Sequence, residues 1–265
     1  MLRDQFITHH KAVVDGFRWR SREIARIEGF SDACFGFAVT LLIISLEVPR
    51  TSTELFEVMH GFVAFLATFW MLASIWYAQF LYFRRYGLED RITVILNLVL
   101  IFTVLFFVYP LKFLFTTMIE HGGFGGTLAG AHGVEKVILP QHKPLLLIIF
   151  GLGFAAVFVV FLLLYVHAYR KREALGLNEL EVFETRHSIR AQIFAIGTGL
   201  TYLVLAGVEA LPRTTPGEKL LARSLAVGSL IVVLALVGWI LTVRRKRAAW
   251  VKEWHARQPE TMLGE

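Results

Sequence analysis

Asp32 is the residue of this chain whose chemistry most clearly needs an explanation, because its carboxyl lies within an apolar run. An ionisable side chain inside a membrane span costs on the order of 2.5–3.5 kcal/mol and therefore needs a partner. Gln79 and Asn97 lie at a similar depth on two later apolar runs, and with Ser31 they form one candidate polar contact. Alternatively, Asp32 lies close enough to the start of its helix to reach the interface and favour the helix dipole.

An apolar stripe follows Asp32 on the same run. At about 100° per residue, Asp32 points roughly 140° away from Phe37, so the stripe lies opposite the polar residues. Its members are Ala33, Phe37, Leu41, Ile44 and Val48, with Thr40 at the edge. Taken alone, such a stripe is typical of a helix that packs against its own bundle or against lipid.

The histidines do not form a metal-binding pattern. His121, His132 and His142 lie in one loop, and their spacing matches none of the tight zinc motifs. The sequence also has no P-loop, no GxSxG, no HExxH, no carbonyl-filter motif and no arginine ladder. We therefore expect no metal, no cofactor and no enzymatic activity.

The element that positions Asp32 is a membrane helix. Of the 265 residues, 56% are hydrophobic and only 18% are charged, whereas soluble domains carry about a quarter charged residues. A helix needs about 20 apolar residues to cross a bilayer core, and these runs are too long for barrel strands. The sequence therefore predicts an all-α integral membrane protein with six transmembrane helices. The spans are Phe30–Val48, Gly61–Phe83, Ile92–Leu111, Leu145–Tyr169, Ala191–Leu211 and Leu225–Val243.

The distribution of basic residues predicts the orientation. None of the 27 Lys and Arg residues lies within a span, and 20 of them lie on the side of the two termini. The positive-inside rule then places both termini in the cytoplasm, so the net charge of +6 does not require a nucleic-acid partner. We expect a cytoplasmic segment 1–29, a transmembrane domain 30–243 and a basic tail 244–265. A flexible glycine-rich run at 121–126 and a short interfacial helix within 170–190 are expected in the connections.

The segment Arg26–Pro49 resembles the signature of the transmembrane protein 175 family of potassium channels. The family motif R-x-x-x-F-S-D is matched by Arg26, Phe30, Ser31 and Asp32. The resemblance covers roughly residues 20–111. Within it, spans 2 and 3 are similar to the family's second and third helices, so Trp76 joins Gln79 and Asn97 as a candidate partner of the motif. Gln79 and Phe80 stand where prokaryotic members often have paired histidines.

The resemblance implies that the first helix of each subunit lines a central pore of a tetramer. The family's constriction positions correspond to Phe37, Leu41 and Ile44, and Thr40 would add a hydroxyl layer between the apolar rings. These residues coincide with the apolar stripe that helical geometry places on one face. Phe37 differs from the branched aliphatic residue that members commonly have at this position.

We therefore expect a potassium-favouring cation channel with a hydrophobic constriction on its first transmembrane helix. It would act as a homotetramer in the lipid bilayer of a bacterial plasma membrane and pass potassium and other monovalent cations. The alternative is a secondary transporter or proton-coupled permease, whose helices break near the midplane. Gly151–Gly153 and Gly197–Gly199 are the candidate breaks. A membrane-embedded enzyme or scaffold is a third hypothesis, and it predicts no ion flux.

Overall fold

The computed structural model describes residues 13–14, 17–21, 23–44, 50–119, 127–130, 133–136 and 138–210. These ranges contain five long helices and two short β-hairpins. Three predictions lie outside the described residues: the sixth span Leu225–Val243, the tail 244–265 and the glycine-rich run 121–126. Val48 and His132 lie outside them as well.

Each of the five helices is long and apolar enough to cross a bilayer. They are α1 Arg26–Ile44, α2 Ser52–Tyr86, α3 Arg91–Ile119, α4 Lys143–Arg170 and α5 Glu179–Ala210. Each of the first five predicted spans overlaps one of these helices, although the ends of the first and fifth spans lie outside the described residues. α3 continues well beyond the predicted end at Leu111, because apolar residues follow and Pro110 removes only one backbone donor from the helix.

Two short hairpins accompany the helices, one before α1 and one between α3 and α4. β1 (Val13–Val14) pairs antiparallel with β2 (Phe17–Arg18), just before α1. β3 (Thr127–Gly130) pairs antiparallel with β4 (Gly133–Lys136) in the connection between α3 and α4, where the sequence predicted no strand. A 3-10 turn at Pro140–His142 then leads into α4.

α1 packs against α2 and α3, and α4 packs against α3 and α5. Small residues allow the helices around α4 to approach closely. A Cβ atom at Gly153 would collide with the ring of Phe107 on α3, and one at Gly199 would lie 3.0 Å from the carbonyl oxygen of Gly151. Close approach of this kind is how helices gain van der Waals contact in lipid. α4 and α5 run unbroken through these glycines, so the helix breaks considered for a transporter are absent from this described region.

The connection between α4 and α5 is short. A turn at 171–176 contains Gly176 with φ +57°, a conformation that glycine adopts without strain. Asn178 then caps α5: its Oδ1 accepts from the Glu181 backbone N–H at 2.8 Å, and Glu181 Oε2 accepts from the Asn178 N–H at 3.0 Å. The short helix expected within 170–190 is present at 179–190, but as part of α5 and not as a helix of its own. Residues 179–190 are the first turns of α5, since no glycine or proline interrupts them.

Candidate functional site

The apolar stripe of α1 faces away from the described helices of its own subunit. Phe37 is 57% exposed and Ile44 is 70% exposed, Thr40 is exposed, and Leu41 is half-buried at the edge of the stripe. The buried residues lie on the other side of the helix at the spacing that one helical face requires. They are Glu28, Ser31, Phe35, Ala38 and Leu42.

Thr40 presents an oxygen on this exposed face. Its Oγ1 donates a hydrogen bond to the Gly36 carbonyl oxygen at 2.9 Å. Because the hydroxyl proton is used within the helix, the lone pairs of the oxygen remain available to accept or to approach a cation. The stripe therefore has one acceptor among its apolar side chains.

A buried chain of hydrogen bonds ties α1 to α2 and α3. Gln79 Nε2 donates to Asn97 Oδ1 at 2.5 Å, and Asn97 Nδ2 donates to Ser31 Oγ at 2.8 Å. Ser31 Oγ in turn donates to the Ile27 carbonyl oxygen at 2.7 Å. Buried polar groups are costly unless they are paired. Here each of these side-chain donors has an acceptor, and the bonds link α1, α2 and α3.

Asp32 does not join this buried chain. Its Oδ1 accepts a hydrogen bond from Trp76 Nε1 at 2.8 Å, on the exposed side of the contact between α1 and α2. The Trp76 ring also stacks on Phe80, with centroids 5.9 Å apart. Of the remaining motif residues, Arg26 and Phe30 are exposed. The candidate partners are thus divided: Trp76 contacts Asp32, while Gln79 and Asn97 connect to Ser31.

The N-terminal segment is attached to α5 and to the turn before it, by contacts that residue spacing did not predict. Arg20 Nη2 donates to Glu181 Oε2 at 2.6 Å, its Nε donates to the Leu175 carbonyl oxygen at 3.0 Å, and Glu181 is fully buried. Phe17 is buried against the ring of Tyr86, with centroids 5.5 Å apart. The N-x-x-E pattern at Asn178–Glu181 is a capping-box signature, which could have marked Glu181 as a structural residue.

A second polar contact lies at the same end of the helices. Asp90 Oδ2 lies 2.8 Å from His167 Nε2 and 3.3 Å from Lys171 Nζ. Burial alone would raise the pKa of Asp90, but the hydrogen bond from Thr93 and the contacts with His167 and Lys171 lower that pKa to about 2. Asp90 therefore stays ionised and holds the turn before α3 to the end of α4.

The described residues contain no group of three or more His, Cys, Asp or Glu side chains that could hold a metal ion. His142 is exposed at the start of α4, and His121 lies outside the part of the chain that the structure describes. The polar groups near α1 are suited to holding helices together.

Known proteins are similar in sequence to this chain. A profile of the family described as "Endosomal/lysosomal potassium channel TMEM175" matches residues 26–108. A protein named "Potassium channel" from Marivirga tractuosa is 36% identical over 194 residues, which cover 73% of this chain and 78% of that protein.

Two solved structures are similar as well. One is the crystal structure of a variant of the potassium channel MtTMEM175 in complex with a Nanobody-MBP fusion protein. It has a TM-score of 0.68 and 33% identity, covering 85% of this chain and 97% of that one. The other is a lysosomal potassium-selective channel TMEM175 homolog from Chamaesiphon minutus, with a TM-score of 0.45 and 21% identity over 79% and 99% of the two chains.

Proposed function

This chain belongs to the TMEM175 family of potassium channels, not to a family of enzymes, and on that premise we propose that it forms a potassium-favouring cation channel. We place the hydrophobic constriction on α1, at Phe37, Leu41 and Ile44, with Thr40 between the apolar layers. The motif residues Arg26, Phe30, Ser31 and Asp32 are proposed to position this helix.

The exposure of the α1 stripe is the observation that carries the proposal. If Phe37 and Ile44 were packed against α2 or α3, they could not line a path shared by several subunits. Instead, both side chains point out of the described bundle, while Ser31, one helical face away, fixes α1 to Asn97. α1 is thus held by a hydrogen bond on one side, while its other side is exposed and can contact another subunit.

The path itself requires more than one subunit. The core among the described helices of one chain consists largely of apolar side chains, which offer no lining for a polar passage. Four copies of α1 around an axis could enclose one, and closed rings are the usual symmetry of homo-oligomers. We propose a homotetramer in a bacterial plasma membrane with both termini in the cytoplasm. Residues 1–29 and 244–265 would be cytoplasmic and residues 30–243 would form the transmembrane domain.

An apolar constriction would act by dewetting. A narrow apolar neck expels water, so an ion must lose hydration while few ligands replace it. Potassium loses its shell more easily than sodium, which gives a preference without a carbonyl filter. The lone pairs of Thr40 would offer limited compensation, so we expect the preference to be weaker than in carbonyl-filter channels.

The test is Phe37→Ala in proteoliposomes, with potassium, sodium and caesium flux measured separately. Removing the ring should widen the neck, so potassium flux should rise severalfold and the ratio of potassium to sodium flux should fall. Phe102→Ala is the matched control, because Phe102 is also an exposed phenylalanine, but on α3. Unchanged flux in Phe37→Ala would remove this residue from the conduction path.

A secondary transporter would give slow, saturable flux instead of unitary current steps. The unbroken course of α4 through Gly151 and Gly153, and of α5 through Gly197 and Gly199, argues against it. Transporter sites are commonly formed where such helices are interrupted.

A further inference from the structure

Two guanidinium groups converge on one tyrosine where α4 ends and α5 begins. The Cζ atom of Arg172 lies 5.0 Å from the centroid of the Tyr169 ring, and that of Arg186 lies 5.3 Å from it. Arg186 also donates from Nε and Nη2 to the Tyr169 hydroxyl oxygen, at 3.0 Å and 2.7 Å. The tyrosine hydroxyl accepts both bonds, so its own proton remains available for another acceptor.

Positive charge at this place exceeds the nearby negative charge. Arg190 lies one helical turn after Arg186 on α5, and both side chains are exposed. Arg172 pairs with Glu173 at 3.0 Å, but Glu173 is 86% exposed, and a surface pair of this kind contributes little. Among the ion pairs of the described residues, none joins Arg186 or Arg190 to a carboxylate. Like charges held this close favour the binding of an anion.

The depth of the cluster indicates which anion. Tyr169 is the last residue of one apolar run, and Arg190 directly precedes the next, which begins at Ala191. These side chains therefore lie at the level of the lipid headgroups, where tyrosine is enriched. Arginine matches the geometry of phosphate oxygens, and basic pockets between transmembrane helices bind anionic headgroups.

We propose that Tyr169, Arg172, Arg186 and Arg190, the arginine cluster, bind the headgroup phosphate of an anionic phospholipid. The guanidinium groups of Arg186 and Arg190 supply the charge, and the free proton of the Tyr169 hydroxyl donates to a phosphate oxygen. Arg172 completes the rim from the turn between the two helices. The site is separate from the proposed conduction path on α1.

The binding has a structural consequence for the N-terminal segment. The turn between α4 and α5, which carries Arg172, also supplies the carbonyl oxygens of Leu175 and Gly176, which accept hydrogen bonds from Arg20. A lipid that fixes the ends of α4 and α5 therefore stabilises the surface on which residues 17–21 rest.

Thermal unfolding of the purified full chain in detergent tests the proposal without any need for ion flux. The midpoint is measured with added phosphatidylglycerol, with phosphatidylcholine and with inorganic phosphate. Phosphatidylglycerol should raise the midpoint more than phosphatidylcholine does, and Arg186→Gln/Arg190→Gln should lose most of that increase. Arg50→Gln/Arg91→Gln is the matched control, because it removes two exposed charges near the starts of α2 and α3 and should keep the increase.

Tyr169→Phe provides a milder change that keeps the ring. It should lose part of the phosphatidylglycerol effect, which tests the hydroxyl even if the double variant does not fold. The proposal is overturned if Tyr169→Phe and, where it folds, Arg186→Gln/Arg190→Gln keep the full increase. It is also overturned if the control pair loses as much, or if inorganic phosphate alone gives the same increase as the lipid.

Discussion

Asn97 is the central residue of the contacts that hold α1 in the bundle. It accepts from Gln79 and donates to Ser31, so one amide satisfies groups on two other helices. An amide is suited to this position because it carries a donor and an acceptor on one short side chain. Replacing it leaves the Gln79 amide buried without an acceptor.

We expect Asn97→Leu to lower the free energy of unfolding by about 1–3 kcal/mol, the usual cost of leaving a buried polar group unpaired. The measurement is the thermal midpoint of the purified channel in detergent. Thr103→Val is the control, because the Thr103 hydroxyl bonds only to the Val99 carbonyl on its own helix. Gln79→Leu/Asn97→Leu should recover part of the loss. No recovery would show that the hydrogen bond between the two amides is not what stabilises the helix contact.

At the scale of the elements, length and hydropathy were sufficient to predict the described helices. A run of about 20 apolar residues has few other ways to satisfy its backbone in lipid. The helix ends were harder to predict, since polar residues can continue a helix beyond the bilayer, as they do from Glu179 to Arg190. The attachment of the N-terminal segment depends on contacts such as Arg20 to Glu181, which are more than 150 positions apart and leave no periodic signal.

The candidate site, like the helices, could be predicted only in part from the sequence. Helical spacing predicted that Phe37 and Ile44 share a face, and depth suggested Gln79 and Asn97 as polar partners. Which residue of α1 each partner contacts depends on helix rotation, which spacing alone does not fix. Asp32 and Ser31 are adjacent in the sequence, yet they point about 100° apart, so Trp76 contacts one and Asn97 the other.

The attachment of the N-terminal segment through Glu181 can be tested by proteolysis. Glu181→Gln keeps the shape but removes the charge that Arg20 and Arg18 contact. We expect trypsin to cleave after Arg20 several times faster in this variant. The cleavage is measured by mass spectrometry of the fragments. Glu179→Gln is the control, because Glu179 lies in the same helical turn but is exposed. Equal cleavage rates in the two variants would mean that Glu181 does not hold the segment.

At the scale of the whole molecule, the exposed side of α1 must contact either lipid or another subunit. Lipid could cover Ile44, but four subunits around an axis would bring its copies together. Ile44→Cys in a Cys34→Ser background should therefore form disulfide-linked dimers under mild oxidation, seen on non-reducing gels. Leu152→Cys is the control, because Leu152 is an exposed apolar residue on α4. Cross-linking at Leu152 and not at Ile44 would place the subunit interface on α4, which contradicts a pore lined by α1.

The chain of hydrogen bonds from Gln79 to Ile27 consists only of amides, a hydroxyl and a backbone carbonyl, none of which gains or loses a proton in the physiological range. The position of α1 relative to α2 and α3 is thus insensitive to acidity at this point. The contact between Asp90 and His167 at the helix ends contains ionisable groups instead. A change of pH within that range therefore leaves the hydrogen bonds among Gln79, Asn97 and Ser31 unchanged.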